Sequence, residues 1–238
     1  MAASMSFVAA AQDIDYQLTG HSTSPFALNP SSVGEANAYR VGLNYRMQWP
    51  TLENEYKTMR VSYDQNFFKL VSSIGAHYVY DGQAKDFKSH EIGVTYAHNV
   101  RVVDGHYVRL GLTAAMFVKK LGDDIIFGDQ WQNGSVANNS LEQDNMQDTQ
   151  VFPDFSFGAQ YVWENRLSAG AAIYHIAAPT YGFVDDDANQ LNRRYSFHVR
   201  YLHNLESTAG LWGNRGKVEN YVMGTVAYQH QGEYNVAN

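Results

Sequence analysis

Eight ionisable residues stand at positions where an alternating strand would put them all on one wall: Arg40, Arg46, Arg60, Asp64, Glu91, Arg109, Asp154 and Arg200. In RVGLNYRM the residues Val41, Leu43, Tyr45 and Met47 alternate with Arg40, Gly42, Asn44 and Arg46. In MRVSYD, Met59, Val61 and Tyr63 alternate with Arg60, Ser62 and Asp64. Charges gathered on one face pair across strands and fill an interior, or they form a polar channel or a partner-binding wall. A second set has the types needed for hydrolysis, with His77, His98, His175 and His198 as bases and Ser72, Ser73 and Ser196 as nucleophiles. A Ser-His-acid unit requires convergence in space, and no GxSxG elbow or comparable local signature implies it. Metal chemistry has less support. The chain contains no cysteine, and the runs Asp123-Asp124 and Asp185-Asp187 lack the Gly and Glu spacing of a calcium loop. No catalytic residue, metal or cofactor is therefore expected.

The elements that must position these residues are strands of period two. After the opening hairpin with its Trp49-Pro50 turn, Ile74, Ala76, Tyr78 and Tyr80 alternate with Ser73, Gly75, His77 and Asp81. Ile92, Val94 and Tyr96 alternate with Glu91, Gly93, Thr95 and Ala97. Asp104-Gly105 reads as a tight turn, followed by a long alternating run from Tyr107 to Val118. Gly122 to Gln150 reads as a long polar loop. Alternation returns over Asp154 to Trp163, over Leu167 to Ile173 beyond the Asn165-Arg166 turn, and over Tyr195 to Tyr201 after a second polar loop, Phe183 to Asn192. A ninth segment, Tyr221 to His230, has ambiguous facing. Short turns with some long polar loops, and Tyr45, Trp49, Tyr56, Tyr80, Trp163 and Tyr201 toward strand ends, fit the aromatic girdles of a membrane barrel. Nine strands are an odd total, whereas single-chain bacterial barrels close with an even one, so the chain is expected to be truncated at its C-terminus.

Composition narrows the class. Aromatics make up 14% of the 238 residues, with 17 Tyr, and mean hydropathy is -0.40. No apolar run reaches the roughly 18 residues of a membrane helix. These values suit a transmembrane barrel, where every second residue meets lipid, or alternatively a soluble β-sandwich or lipocalin-like barrel. A net charge of -7 argues against nucleic acid, which selects a basic stripe. MAASMSFVAAAQ resembles the end of a signal peptide without its positive start, or an Ala-rich start with no such role. The expected organisation is a signal-peptide remnant at 1–11, an irregular segment at 12–37 and a barrel domain, incomplete at its C-terminus, at 38–238.

Several blocks, in order, resemble the PorP/SprF family: SPFALNPSSVG (Ser24 to Gly34), RVGLNYRMQWP (Arg40 to Pro50), YKTMRVSYDQ (Tyr56 to Gln65), VRLGL (Val108 to Leu112), FGDQ (Phe127 to Gln130), PDFSFGAQY (Pro153 to Tyr161) and YHIAAPT (Tyr174 to Thr180). They carry the family-motif positions Asn29, Pro30, Trp49, Pro50, Asp129, Gln130, Pro153 and Asp154. The resemblance implies an antiparallel outer-membrane β-barrel of the type IX secretion and gliding machinery, without enzymatic activity or cofactor, in the bacterial outer membrane. It implies contact with outer-membrane lipid and with secreted adhesins carrying a type B C-terminal sorting domain. It also implies periplasmic peptidoglycan-binding or motor-associated partners, and no nucleic acid. Family chains continue for further strands, and their small residue after Asn-Pro is Ser31 here. A general diffusion porin and a barrel lipid hydrolase are the alternatives.

Overall fold

The computed structural model describes residues 15, 24–36, 39–51, 55–83, 87–122, 131–132, 135–136, 148–164, 166–182, 189–205 and 220–237. Ten strands form one sheet: β1 (Tyr39–Gln48), β2 (Tyr56–Phe67), β3 (Ser72–Gln83), β4 (Phe87–Val103), β5 (His106–Leu121), β6 (Thr149–Trp163), β7 (Leu167–Tyr174), β8 (Arg194–Leu205), β9 (Asn220–Gln231) and β10 (Tyr234–Ala237). Each strand pairs antiparallel with its neighbours in sequence order, and the sheet curls into a half-barrel. The expected strands are all present. β10 is the addition: it is only four residues long and joins β9 through a turn containing Gly232 at φ 58°. Four residues are too few for alternation to register as a signal. The signal-peptide reading of residues 1–11 falls outside the described residues.

Burial decides between the soluble and membrane alternatives. The alternating apolar residues are exposed, with Val41 at 68%, Leu43 at 64%, Ile92 at 61% and Val94 at 61%, while Asp64 is 1% exposed. A soluble barrel would bury the first set and wet the second, because apolar area leaves water and charge does not do so cheaply. Here the sheet is apolar outside and ionised inside, as lipid around it requires. No helix among the described residues is long and apolar enough to cross a membrane. β4, β5 and β6, at 17, 16 and 15 residues, exceed the roughly 9–11 that a tilted strand needs to span the hydrocarbon.

The register produces one feature that single strands do not reveal. Reading across the concave face, Ser73 stands opposite Ala97, Ala97 opposite Gly111, Gly111 opposite Gly158, Gly158 opposite Ala172, and Ala172 opposite Ser196. A continuous row of small residues thus crosses six strands. β7 also stops early: it pairs β6 only over Phe157 to Trp163, so the earlier part of β6 has a strand on one side alone. Pro153 lies in that part, where its missing N–H costs no ladder bond on the β7 side.

Arginine placed on the outward face at mid-sheet, as in Leu112→Arg, is expected to lower barrel stability by about 2–4 kcal/mol. Thr113→Val, one residue along and facing inward, loses the hydroxyl that meets Thr95 at 2.8 Å and is expected to cost about 1–3 kcal/mol. Urea titration in lipid vesicles measures both, and equal tolerance of Leu112→Arg and Leu112→Ile would refute the lipid-facing assignment.

Candidate functional site

The small-residue row is occupied by the N-terminal segment. From Ser24 onward it carries two short 3-10 turns, Pro25–Ala27 and Pro30–Ser32, each opened by a proline whose missing N–H suits the first position of a turn. Phe26, Leu28, Asn29, Ser31, Ser32 and Val33 are all buried. Asn29 is the central contact. Its Nδ2 donates to the carbonyls of Ala159 at 3.1 Å and Ala171 at 3.2 Å, and its Oδ1 accepts from the Ser31 N–H at 2.9 Å and the Ser31 hydroxyl at 2.7 Å. At its glycines the wall has no room for a side chain where the segment sits. A Cβ added at Gly158 would lie 2.0 Å from Asn29 Oδ1, at Gly111 2.3 Å from the Pro30–Ser31 backbone, and at Gly75 2.4 Å from Val33 Cγ2.

Charged residues flank this seat. Asp64 accepts from Arg40 twice, at 2.9 and 2.8 Å, and from the Gly34 N–H at 2.7 Å, joining β1, β2 and the segment. Arg109 donates to the Val33 carbonyl at 2.5 Å, and Arg200 forms an ion pair with Glu35, which also accepts from Gln160 at 2.9 Å. Arg60 donates to the Ser24 hydroxyl at 3.2 Å and lies over the Phe26 ring, 5.2 Å from its centre. Tyr174 donates to the Phe26 and Ala27 carbonyls.

A second cluster forms where β7 ends. His175, with φ 56°, turns the chain inward; its Nε2 lies 2.7 Å from Asp15 Oδ2 and its Nδ1 3.0 Å from Asp154 Oδ2, while Arg194 reaches Asp15 at 3.0 Å. Burial alone would lower the His175 pKa, but Asp15 and Asp154 outweigh it and push it up to about 10. Glu91 bonds His77 at 2.8 Å. Together with Phe26 and Arg60 these groups line a small cavity, of a size for one ordered water. Beyond it, Phe117, Phe152, Tyr181 and Leu191 form an apolar cluster.

Seven of the eight charges expected inside therefore meet at or beside the seat. Arg46 does not; it lies toward the far end of β1 and donates to Gln48 at 2.9 Å. Among the motif positions, Asn29 and Pro30 belong to the seated segment and Asp154 to the His175 cluster. Pro153 faces outward, and Trp49 and Pro50 form the exposed end of the first hairpin, with Trp49 edge-on to Tyr56. Asp129 and Gln130 lie outside the described residues, as do Asp123-Asp124 and Asp185-Asp187. Sequence reasoning missed Asn29's contacts, Glu35, Asp15 and Tyr174. The available signal was the recurrence of glycine at inward strand positions, Gly75, Gly111 and Gly158 among them.

Of the hydrolase candidates, the structure brings one pair together: Ser72 Oγ lies 3.0 Å from His98 Nδ1 and 3.0 Å from the Tyr96 hydroxyl. The Ser72 hydroxyl also donates to the Leu70 carbonyl at 2.9 Å, which holds its proton away from the imidazole. Among the described residues no carboxylate orients His98. The pair thus lacks the third group of a triad. No group of three or more metal-ligating side chains occurs among the described residues.

An antiparallel sheet with a lipid-facing apolar exterior and a paired, ionised interior is that of a β-barrel membrane protein. The chain belongs to the PorP/SprF family of type IX secretion system membrane proteins, which it matches over residues 10–236. No curated protein and no solved structure gives a significant match.

Gly158→Val is expected to displace Asn29 and expose the segment around Ser24 to Gly34, because the added atoms overlap its side chain. Limited proteolysis of the folded variant checks this; cleavage as slow as in wild type would show that the seat tolerates a side chain.

Proposed function

We propose that this protein is a non-enzymatic outer-membrane barrel of the type IX secretion and gliding machinery that binds or anchors a secreted adhesin through its type B C-terminal sorting domain. The observation that carries the reading is the seated N-terminal segment. A conducting pore needs an open, water-filled interior, whereas here Asn29, Ser31, Ser32 and Val33 are inaccessible to solvent, and Asn29, Ser32 and Val33 are bonded to the wall. A filled wall favours a rigid platform, on which strand ends and long connections present a surface to a protein partner. Family membership supports the secretion role. Arg40, Arg60, Asp64, Glu91, Arg109, Asp154 and Arg200 then act first as the internal framework of that platform. Periplasmic peptidoglycan-binding and motor-associated components are its further proposed partners.

Two measurements test the proposal. In planar bilayers the purified protein is expected to stay electrically silent; large, stable single-channel steps would establish the porin alternative instead. Deleting the gene is expected to abolish surface display of the cognate adhesin, and undiminished display would sink the anchoring role. Lipid hydrolysis by the purified protein would contradict the non-enzymatic part.

A further inference from the structure

The outward face carries a row of cations at one end. Following the register, Lys57 stands opposite Gly82, Gly82 opposite Lys88, and Lys88 opposite Lys120. All of these positions share the parity of the lipid-facing residues Val61, Ile92 and Leu112. Lys88 and Lys120 are exposed. Lys57 pairs with Glu55, but among the described residues neither Lys88 nor Lys120 has an acidic partner. Like charges directly opposite one another weaken a sheet, so the arrangement lacks a compensating anion.

The surroundings supply more of a site. A Cβ at Gly82 would lie 2.9 Å from the Tyr80 hydroxyl oxygen, so the gap between Lys57 and Lys88 holds a hydroxyl able to donate to an anion. In the next row, Tyr80 stands opposite His90, their ring centres are 5.3 Å apart, and His90 Nδ1 meets the Tyr78 hydroxyl at 2.8 Å. Further along come Ile92, Val94 and Leu112, exposed and apolar. Cation, aromatic and aliphatic layers thus follow one another along the outer wall. That is the order of phosphate, glycerol or sugar, and acyl chain in an anionic lipid.

We propose that Lys88 and Lys120, with Lys57 and the Tyr80 hydroxyl beside them, bind the phosphorylated headgroup of an anionic lipid whose acyl chains lie against the apolar band of β3, β4 and β5. The connections at this end of the sheet include the longest described by the strand bounds, between β5 and β6, so the site lies in the leaflet on the long-loop side. The inference rests on the membrane assignment and not on adhesin binding.

Native mass spectrometry of the purified protein, titrated with phosphatidylglycerol or phosphatidylcholine, tests it. Wild type is expected to retain phosphatidylglycerol preferentially. Lys88→Gln with Lys120→Gln should weaken that retention by on the order of tenfold, while Lys88→Arg with Lys120→Arg keeps it. Lys69→Gln, in the turn between β2 and β3 at the opposite end, should leave it unchanged. Equal retention of the two lipids by wild type, or an unaltered double Gln variant, would overturn the site. Displacement of phosphatidylglycerol by an equal concentration of inorganic phosphate would overturn the lipid assignment. The heat-dependent gel mobility of a folded barrel, compared across variants, separates lost binding from lost folding, and the Arg variant provides the test should the Gln variant not fold.

Discussion

A carboxylate that is 1% exposed inside a sheet surrounded by lipid must be fully compensated, and Asp64 meets this requirement with three hydrogen bonds. Removing a charge's partner at such a site costs several kcal/mol, whereas making the pair gains little over an apolar replacement. The energetic weight of Asp64 therefore lies in what its absence would leave, an uncompensated Arg40 and an unsatisfied Gly34 N–H. Because one of its three partners is a backbone N–H of the N-terminal segment, wall and segment cannot be satisfied separately. Glu35 repeats the logic from the other side: it belongs to the segment and takes its partners, Arg200 and Gln160, from β8 and β6.

This reciprocal satisfaction explains why the interior tolerates so many ionisable groups. Arg109 reaches the Val33 carbonyl, Tyr174 the carbonyls of Phe26 and Ala27, and Asn29 two carbonyls of the wall. The 3-10 turns leave backbone groups unpaired within the segment, and side chains of the strands supply what the turns do not. Where β7 ends, His175 and Asp15 play the same part for the rim, and Arg194 adds its face to the Tyr174 ring. Polar groups that would be costly alone become a connected network.

The strands were legible because alternation is a local property: Val41 to Met47, Ile92 to Tyr96 and Phe155 to Trp163 each declare their lipid face within a few residues. The inward residues were legible for the same reason, including Asp64, Arg109 and Asp154. Their convergence was not, since Asp64 meets Gly34 and Arg200 meets Glu35 only once strands far apart in sequence are in register. Ser73, Ala97, Gly111, Gly158 and Ser196 each looked like an ordinary small strand residue. Only pairing aligns them into a seat, and no single strand carries that information. Within the lead-in, Ser24 to Gly34 lacks periodicity because its turns take their order from the wall rather than from each other. Ser72 and His98 lie 26 residues apart and meet through the β3–β4 register alone.

The seating of Asn29 has a kinetic side. Its two wall carbonyls belong to residues 130 and 142 positions later in the chain, and contacts of such separation form slowly because a long loop must close before they contribute. Asn29 precedes these strands in the chain, yet its two acceptors come together only once β6 and β7 have paired. Until then Asn29 and Ser32 remain without their partners on the wall. Completion of the interior around Asn29 therefore trails the pairing of β6 with β7, and folding there runs against the order of the sequence.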